Sequence, residues 1–441
     1  MNPYQFTATE GLHKVQSGDL TVEDWASSCQ TRISNRDGVV KAWAYINPEF
    51  IKQARYLDEV PHSQRGLLHG LPVTVKDIIN VKGMPTQYGC RDFESDFSES
   101  DSSLVRLFRE RGALILGKAT TTQYGASSIG PDTCNPHDPT RTPGGSSSGS
   151  AAAVADGQAA LGIGTQTGGS TIRPASFTGN YAVTFTVDTI PTEGQWPFAK
   201  SFDRPGFFAR DLHIFMAILD VFKPDDVGQN SFTGIEGARF AVCKPMGWEQ
   251  QAGEGTRAAI GDAAKLLRKH GATVEEFDLP TDFHDLPQLY DRTLRREAWE
   301  TFVSIYYADK KALDKSILEL LGDPRRLTDQ ERDEDTSRLE ALRSLVDKIL
   351  GPFTAIIAPS AVDEAPIGLE NTGSYWFNKI WNALGVPMVN VPGFNGKNGM
   401  PIGVTLIAPR NQDRYLLDVA KEGGKIFASE GGWKNLVIER E

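Results

Sequence analysis

Residues Thr142 to Pro174 read TPGGSSSGSAAAVADGQAALGIGTQTGGSTIRP, a density of glycine, serine and small apolar side chains matched nowhere else in the 441 residues. Two turns, Gly144-Gly145-Ser146 and Gly168-Gly169-Ser170, flank two apolar runs, Ala151 to Ala155 and Ala159 to Ile163. A short helix and a strand between the turns can fold back and bring both serine hydroxyls into one cleft. Glycine tolerates φ > 0 and lets backbone N–H groups approach a ligand without a Cβ in the way. Consecutive free N–H groups in such a turn can hold a developing oxyanion. The pattern points to attack of a serine on a carbonyl.

A serine hydroxyl is a weak nucleophile at neutral pH and needs a base within hydrogen-bond reach, directly or through a relay. Upstream, Gly70 to Asp77 reads GLPVTVKD, a strand with a lysine at its polar step. Lys76 is the candidate base. Burial can bring its pKa from about 10.4 toward the working pH.

Further stretches fall in order around these two. They are Val75-Lys76-Asp77, TPGGSS at Thr142 to Ser147, SAAAVA at Ser150 to Ala155, and GTQTGGS at Gly164 to Ser170. Ser201, Asp203, Gly206, Ala209 and Arg210 follow as S-x-D-x-x-G-x-x-A-R, then Gly385 to Gly393 and Gly399 to Val404 as a strand pair. Together they resemble the amidase signature family of serine hydrolases, over about residues 10–425.

The resemblance implies an α/β fold of three layers, α/β/α, with a twisted, mixed central sheet. It implies Ser170 as nucleophile, Ser146 as relay with a cis peptide bond, and Lys76 as base. It further implies an oxyanion hole from the backbone N–H groups of Thr167, Gly168, Gly169 and Ser170, and no metal or organic cofactor. Family members build their pocket partly from a variable C-terminal region, so Tyr375, Trp376 and Trp381 are candidates to contact a mostly apolar or aromatic substrate, as is Gly145 beside the relay serine. Four departures mark a divergent member. Gln166 stands where the family often has Asp, which removes an anchoring negative charge behind the loop. Arg173 comes one place later than in many members, Thr178 replaces a frequent Cys, and Ala182 to Thr189 lacks the usual G-L-K-P-T.

Composition bounds the partners. Hydrophobic residues at 39% and charged residues at 23% suit a globular chain, and the net charge of −11 argues against nucleic acid or an anionic membrane as partner. Cys29, Cys90, Cys134 and Cys243 are scattered without metal-ligand spacing. The N-terminus has no apolar leader core, and no run of about 18 apolar residues follows. We expect a cytoplasmic monomer or homodimer. One domain is expected over 1–441, a helical arm at 1–60 preceding a catalytic core at 61–441 with a helical insertion near 286–350.

Along the chain, a helix is expected from Thr7 to about Asn35 and a strand from Ala42 to Ile46. Gly112 to Lys118 nearly matches a phosphate-binding loop, but Ala119 stands where Ser or Thr is required and the intervening residues favour a strand. Gly322-Asp323-Pro324 should split a long helical region, and Asp329 to Asp335 reads as a solvated face. Further strands are expected at Tyr181 to Val187, Ala238 to Val242, Thr273 to Phe277, Ala355 to Ala358, Met388 to Val391 and Ile402 to Ile407. A rival reading takes Gly145 to Gly149 as a G-x-S-x-G elbow with Ser147 as nucleophile and His213, His270 or His284 as base, although no strand precedes it.

The expected activity is hydrolysis of a C–N amide bond of a small molecule through an acyl-enzyme on Ser170. Carbamate or ester cleavage passes through a similar oxyanion, and the transferring subunit of a tRNA-dependent amidotransferase is the other alternative. The acidic balance and the departures at Gln166 and Ala182 favour a free-standing hydrolase.

Overall fold

Short apolar runs rich in β-branched residues and bounded by glycine or proline form the inner strands here because both of their faces are covered, while the outer strands of the sheet are partly exposed. The computed structural model describes residues 1–90, 97–223, 232–322 and 328–439. Its strands are β1 (Trp43–Ile46), β2 (Pro72–Lys76), β3 (Leu114–Ala119), β4 (Leu161–Gln166), β5 (Tyr181–Thr184) and β6 (Arg204–Ala209). They continue with β7 (Arg239–Cys243), β8 (Thr273–Phe277), β9 (Ala355–Pro359), β10 (Met388–Asn395) and β11 (Pro401–Ile407). All eleven join one sheet in the order β1-β3-β2-β4-β6-β5-β10-β11-β9-β7-β8. β2 runs parallel to β3 and β4, β7 runs parallel to β8 and β9, and the other neighbours are antiparallel.

Alternation along the strands feeds two cores. Phe240, Val242, Ile357, Val389 and Val404 enter one, with the helices Ser103–Glu110, His213–Phe222, Glu254–Lys269 and Asp413–Glu430. Ala241, Cys243, Ile356, Met388 and Ile407 enter the other, with Leu286–Asp309, Asp329–Leu350 and Lys379–Ala383. Side-chain period two is the cause, since neighbours on a strand point to opposite faces. The result is the three-layer α/β/α arrangement with a mixed sheet. No helix among the described residues is long and apolar enough to cross a membrane.

Some local expectations need correction. The N-terminal helix is two helices, Ala8–Ser17 and Val22–Val40, because Gly18 takes a left-handed conformation (φ 83°) that closes the first. Thr7 and Thr21 cap them, each side chain accepting from a backbone N–H three residues on. Strand β6 was not expected: Pro205 and Gly206 obscure it, yet it lies between β4 and β5. As expected, Gly112 to Lys118 leads into buried β3, not a phosphate loop. The helical region holds Leu286–Asp309, Lys315–Leu321 and Asp329–Leu350. Of the expected interruption, Asp323 and Pro324 lie outside the described residues. Asp329 to Glu334 are exposed, but Asp335 is buried against Arg292.

Candidate active site

On β2, Val73 and Val75 pack into the first core, so the two-residue period turns Lys76 to the opposite face. There it is fully buried. Its Nζ donates to Ser146 Oγ at 2.6 Å and to Thr165 Oγ1 at 2.7 Å. Burial pushes the Lys76 pKa down to about 7, with the Asp203 carboxylate opposing the fall and the Arg173 guanidinium adding to it.

Ser146 is delivered by the turn that precedes the helix Ser148–Ala155, and its peptide bond to Gly145 is cis. The helix lies close on β4 because β4 carries glycine on that side. A Cβ at Gly162 would come 2.8 Å from Ser150 O, and one at Gly164 would come 2.6 Å from Ser147 Oγ. Thr122 N–H donates to Ser146 O at 3.3 Å and steadies the turn. Ser147 cannot act as the elbow nucleophile. Its buried hydroxyl donates to Thr165 O and accepts from Thr165 N–H, both at 3.2 Å. Of the suggested bases, His270 faces Glu430, His213 is exposed, and His284 lines a separate pocket beside Cys243.

Ser170 sits on the turn between β4 and the helix Ile172–Thr178, partly exposed. With Ser146, Thr167, Gly168 and Gly169 it lines a cavity of about 320 Å³. Among the described residues, the backbone N–H groups of Gly168, Gly169 and Ser170 donate to no protein acceptor. Gly169 is pressed from behind: a Cβ there would stand 2.6 Å from Asn378 Oδ1 and 2.8 Å from Tyr375 Cβ. Tyr290 O–H donates to Thr167 O at 3.2 Å and fixes the loop from the helical side.

Gln166 leaves the negative charge absent, as expected, but still anchors the loop. Its Oε1 accepts from Thr171 N–H and Ile172 N–H, both at 3.1 Å, and its Nε2 donates to Asn382 Oδ1 at 3.3 Å. A neutral amide therefore holds the loop, because the groups behind it are two N–H donors and one side-chain oxygen. The negative charge of the site sits instead on Asp203. Its Oδ1 accepts from Thr167 Oγ1, and its Oδ2 accepts from Phe198 N–H at 2.7 Å and Ala199 N–H at 3.0 Å. Burial raises the Asp203 pKa to about 6, against the lowering by its three donors.

Arg173 reaches back under the cavity and ties Thr372 and Gly373 to Gly145 through their backbone carbonyls. Burial brings its pKa down to about 10. Arg210, by contrast, donates to Val154 O, Ala159 O, Tyr4 O and Phe6 O, an anchor of backbone ends remote from the cavity.

Of the pocket residues expected from sequence, Tyr375 lines the cavity. Gly145 lies behind it, with its carbonyl engaged by Arg173. Trp376 and Trp381 are placed elsewhere. The Trp376 indole donates to Met246 O at 2.7 Å and stacks on Lys379, while Trp381 is fully buried in the second core. Sequence reasoning missed Thr165, which shares Lys76, and Tyr290. Neither carries a local signal, since a threonine in a strand and a tyrosine in a charged helix are ordinary.

Comparison with known proteins gives the family and the fold. The Amidase family model matches residues 24–326. The A-subunit of glutamyl-tRNA(Gln) amidotransferase from Lysinibacillus sphaericus is 28% identical, the match covering 95% of this chain and 96% of that protein. A solved amidase structure superposes with a TM-score of 0.84 at 27% identity, covering 95% of this chain and 99% of that one. The peptide amidase of Stenotrophomonas maltophilia shares the fold, with a TM-score of 0.78 at 23% identity over 95% of this chain and 96% of that one. With the family model spanning the lysine strand, both serine turns and the strand behind them, the chain belongs to the amidase family.

Proposed function

We propose that the chain cleaves a C–N amide bond through an acyl-enzyme on Ser170, with Ser146 as relay and Lys76 as base. The observation that carries this reading is the 2.6 Å contact between Ser146 Oγ and a fully buried lysine with a pKa of about 7. A lysine in that state is substantially neutral at neutral pH, and its lone pair can take a proton.

In the forward step Ser170 Oγ bonds to the carbonyl carbon and passes its proton to Ser146, which passes its own to Lys76. The carbonyl π pair moves onto oxygen, where the N–H groups of Thr167, Gly168, Gly169 and Ser170 receive it. Collapse of this intermediate breaks the C–N bond. The proton returns from Lys76 through Ser146 to the leaving nitrogen. Attack on the acyl-enzyme, by water in a hydrolase, then frees Ser170. Carbamates and esters fit the same sequence of proton transfers.

The fate of the released nitrogen separates two readings. In a free-standing amidase the amine diffuses away; in a transferring subunit of a tRNA-dependent amidotransferase, ammonia passes to a partner. The likeness to the amidotransferase A-subunit runs almost end to end on both chains and supports the second reading. The Gln166 departure no longer weighs against it, because the loop is anchored by the amide.

The test is ammonia release from glutamine and from a panel of small amides, by wild type and Ser170→Ala, with the chain alone and after co-expression with amidotransferase partner subunits. Release from small amides by the chain alone supports the free-standing enzyme. Glutamine turnover that requires the partners supports the transferring subunit. Release undiminished in Ser170→Ala would reject both.

A further inference from the structure

We propose that Asp203 is the counter-charge of the Lys76 ammonium formed during catalysis, and a positioning residue for the Thr167 end of the oxyanion loop. The inference rests on the reading of Lys76 as base.

Once Lys76 takes the Ser146 proton, a full positive charge stands in a buried site, and its stabilisation requires a carboxylate or an escape to water. Neither hydrogen-bond partner of Lys76 is charged, for both are hydroxyls. Asp77, adjacent in sequence, is spent on Lys118 at 2.8 Å and on Gln87 N–H. Glu319 at the cavity rim is exposed and faces Lys315 at 3.6 Å, and Asp291 is bonded to Lys379 at 3.1 Å. Glu297 accepts from Ser201 N–H and Oγ.

Asp203 is different. It is buried, it makes no salt bridge among the described residues, and three donors on Thr167, Phe198 and Ala199 hold it. The two groups grip one segment from its two ends: Lys76 holds Thr165 by its hydroxyl, and Asp203 holds Thr167 by its hydroxyl. The groups acting on Lys76 are Asp203 and Arg173, of opposite sign, and Glu297 is the acid that acts on Asp203. With a neutral amide at Gln166, Asp203 supplies the negative charge that faces Lys76 and orients Thr167 at the same time.

The test compares Asp203→Asn with wild type by two readouts. The first is the pH dependence of Ser170 labelling by a fluorophosphonate, read by mass spectrometry. The second is titration of the Lys76 side chain in protein carrying 13C-labelled lysine, assigned with Lys76→Ala, which needs no turnover. Asp203→Asn is expected to lower the Lys76 pKa by about one unit, the scale of one nearby opposite charge. The acidic limb of labelling moves with it, while the maximal labelling rate falls at least tenfold.

Thr167→Val removes the hydroxyl and keeps the charge, so it should slow labelling without moving the limb. Asp203→Glu should restore part of the shift. An unmoved Lys76 titration in a folded Asp203→Asn protein overturns the proposal. If wild-type Ser170 takes no label while Lys76 still titrates lower in Asp203→Asn, the counter-charge stands and the serine reading is what fails.

Discussion

Lys76 and Lys118 stand on the adjacent parallel strands β2 and β3, one ladder step apart, and both are fully buried. Among the described residues, only Lys118 of the two touches a carboxylate. Its Nζ donates to Asp77 Oδ1 at 2.8 Å, to Thr86 Oγ1 at 2.8 Å and to Pro85 O at 3.0 Å, so all three donors are used and the charge is answered. Burial pushes the Lys118 pKa down, and Asp77 pulls it back. Lys76 meets two hydroxyls. Neighbouring lysines thus divide into one held in an ion pair and one held by hydroxyls, the latter being the base in the proposed mechanism.

The two lysines should fail differently when removed. Lys118→Ala leaves Asp77 as a buried, unpaired charge and should cost about 3–5 kcal/mol of stability, read by denaturant unfolding. Lys76→Ala should keep the fold and slow Ser170 labelling by about 10²- to 10⁴-fold, the usual weight of a general base. Equal stability loss with unchanged labelling in Lys76→Ala would remove it from the mechanism.

Activity should rise with pH through about 7, as Lys76 loses its proton. Stability should follow the same sign. Between about pH 7 and 10.5 the unfolded lysine holds a proton that the native one lacks, so the unfolding free energy increases with pH across that window. Unfolding measured from pH 7 to 10 in wild type and Lys76→Met reads this, with the slope smaller in the variant.

Gln166→Leu should destabilise the turn. It strips Thr171 N–H and Ile172 N–H of their acceptor, at about 1–3 kcal/mol for each buried group left unpaired. Gln166→Glu keeps an acceptor for both and should retain most of the stability. Thermal unfolding of the two variants, with Ser170 labelling alongside, decides whether the amide acts as an anchor.

Gly169→Ala should leave the fold and impair the reaction. The new Cβ would meet Asn378 Oδ1 and Tyr375 Cβ and displace the loop N–H groups. Losing one well-placed oxyanion donor costs about 2.7–4 kcal/mol of barrier. A variant with unchanged labelling kinetics would place the oxyanion donors elsewhere.

Substrate preference should follow Tyr375 and ignore Trp376. Tyr375 lines the cavity, whereas the Trp376 indole is occupied by Met246 O. Once an amide substrate is found, the relative kcat/KM across a panel of side-chain sizes should change in Tyr375→Ala and stay constant in Trp376→Ala. A change confined to Trp376→Ala would relocate the pocket.

How much of this was legible follows from the range of each interaction. Alternation of side chains is local, so β2, β3, β7, β8 and the C-terminal strands could be read from their own residues, as could the two glycine-serine turns. Strand β6 could not, because a Pro-Gly pair weakens any local strand signal and only its place between β4 and β5 holds it extended. The aromatic pair Trp376 and Trp381 misled for a related reason: bulk and apolarity indicate burial without saying in which cavity or core.

The sequence by itself determined the α/β class, the family, and which lysine and serines were candidates, because these rest on local periodicity and on residue types that little else explains in that order. Only the tertiary structure decided which groups meet. It separated the bare Lys76 from the paired Lys118, made Gln166 an anchor, and set Asp203 beside Thr167. Those relations depend on burial and on contacts between residues far apart in the chain, and a side chain's charge state follows from its surroundings, not from its neighbours in sequence.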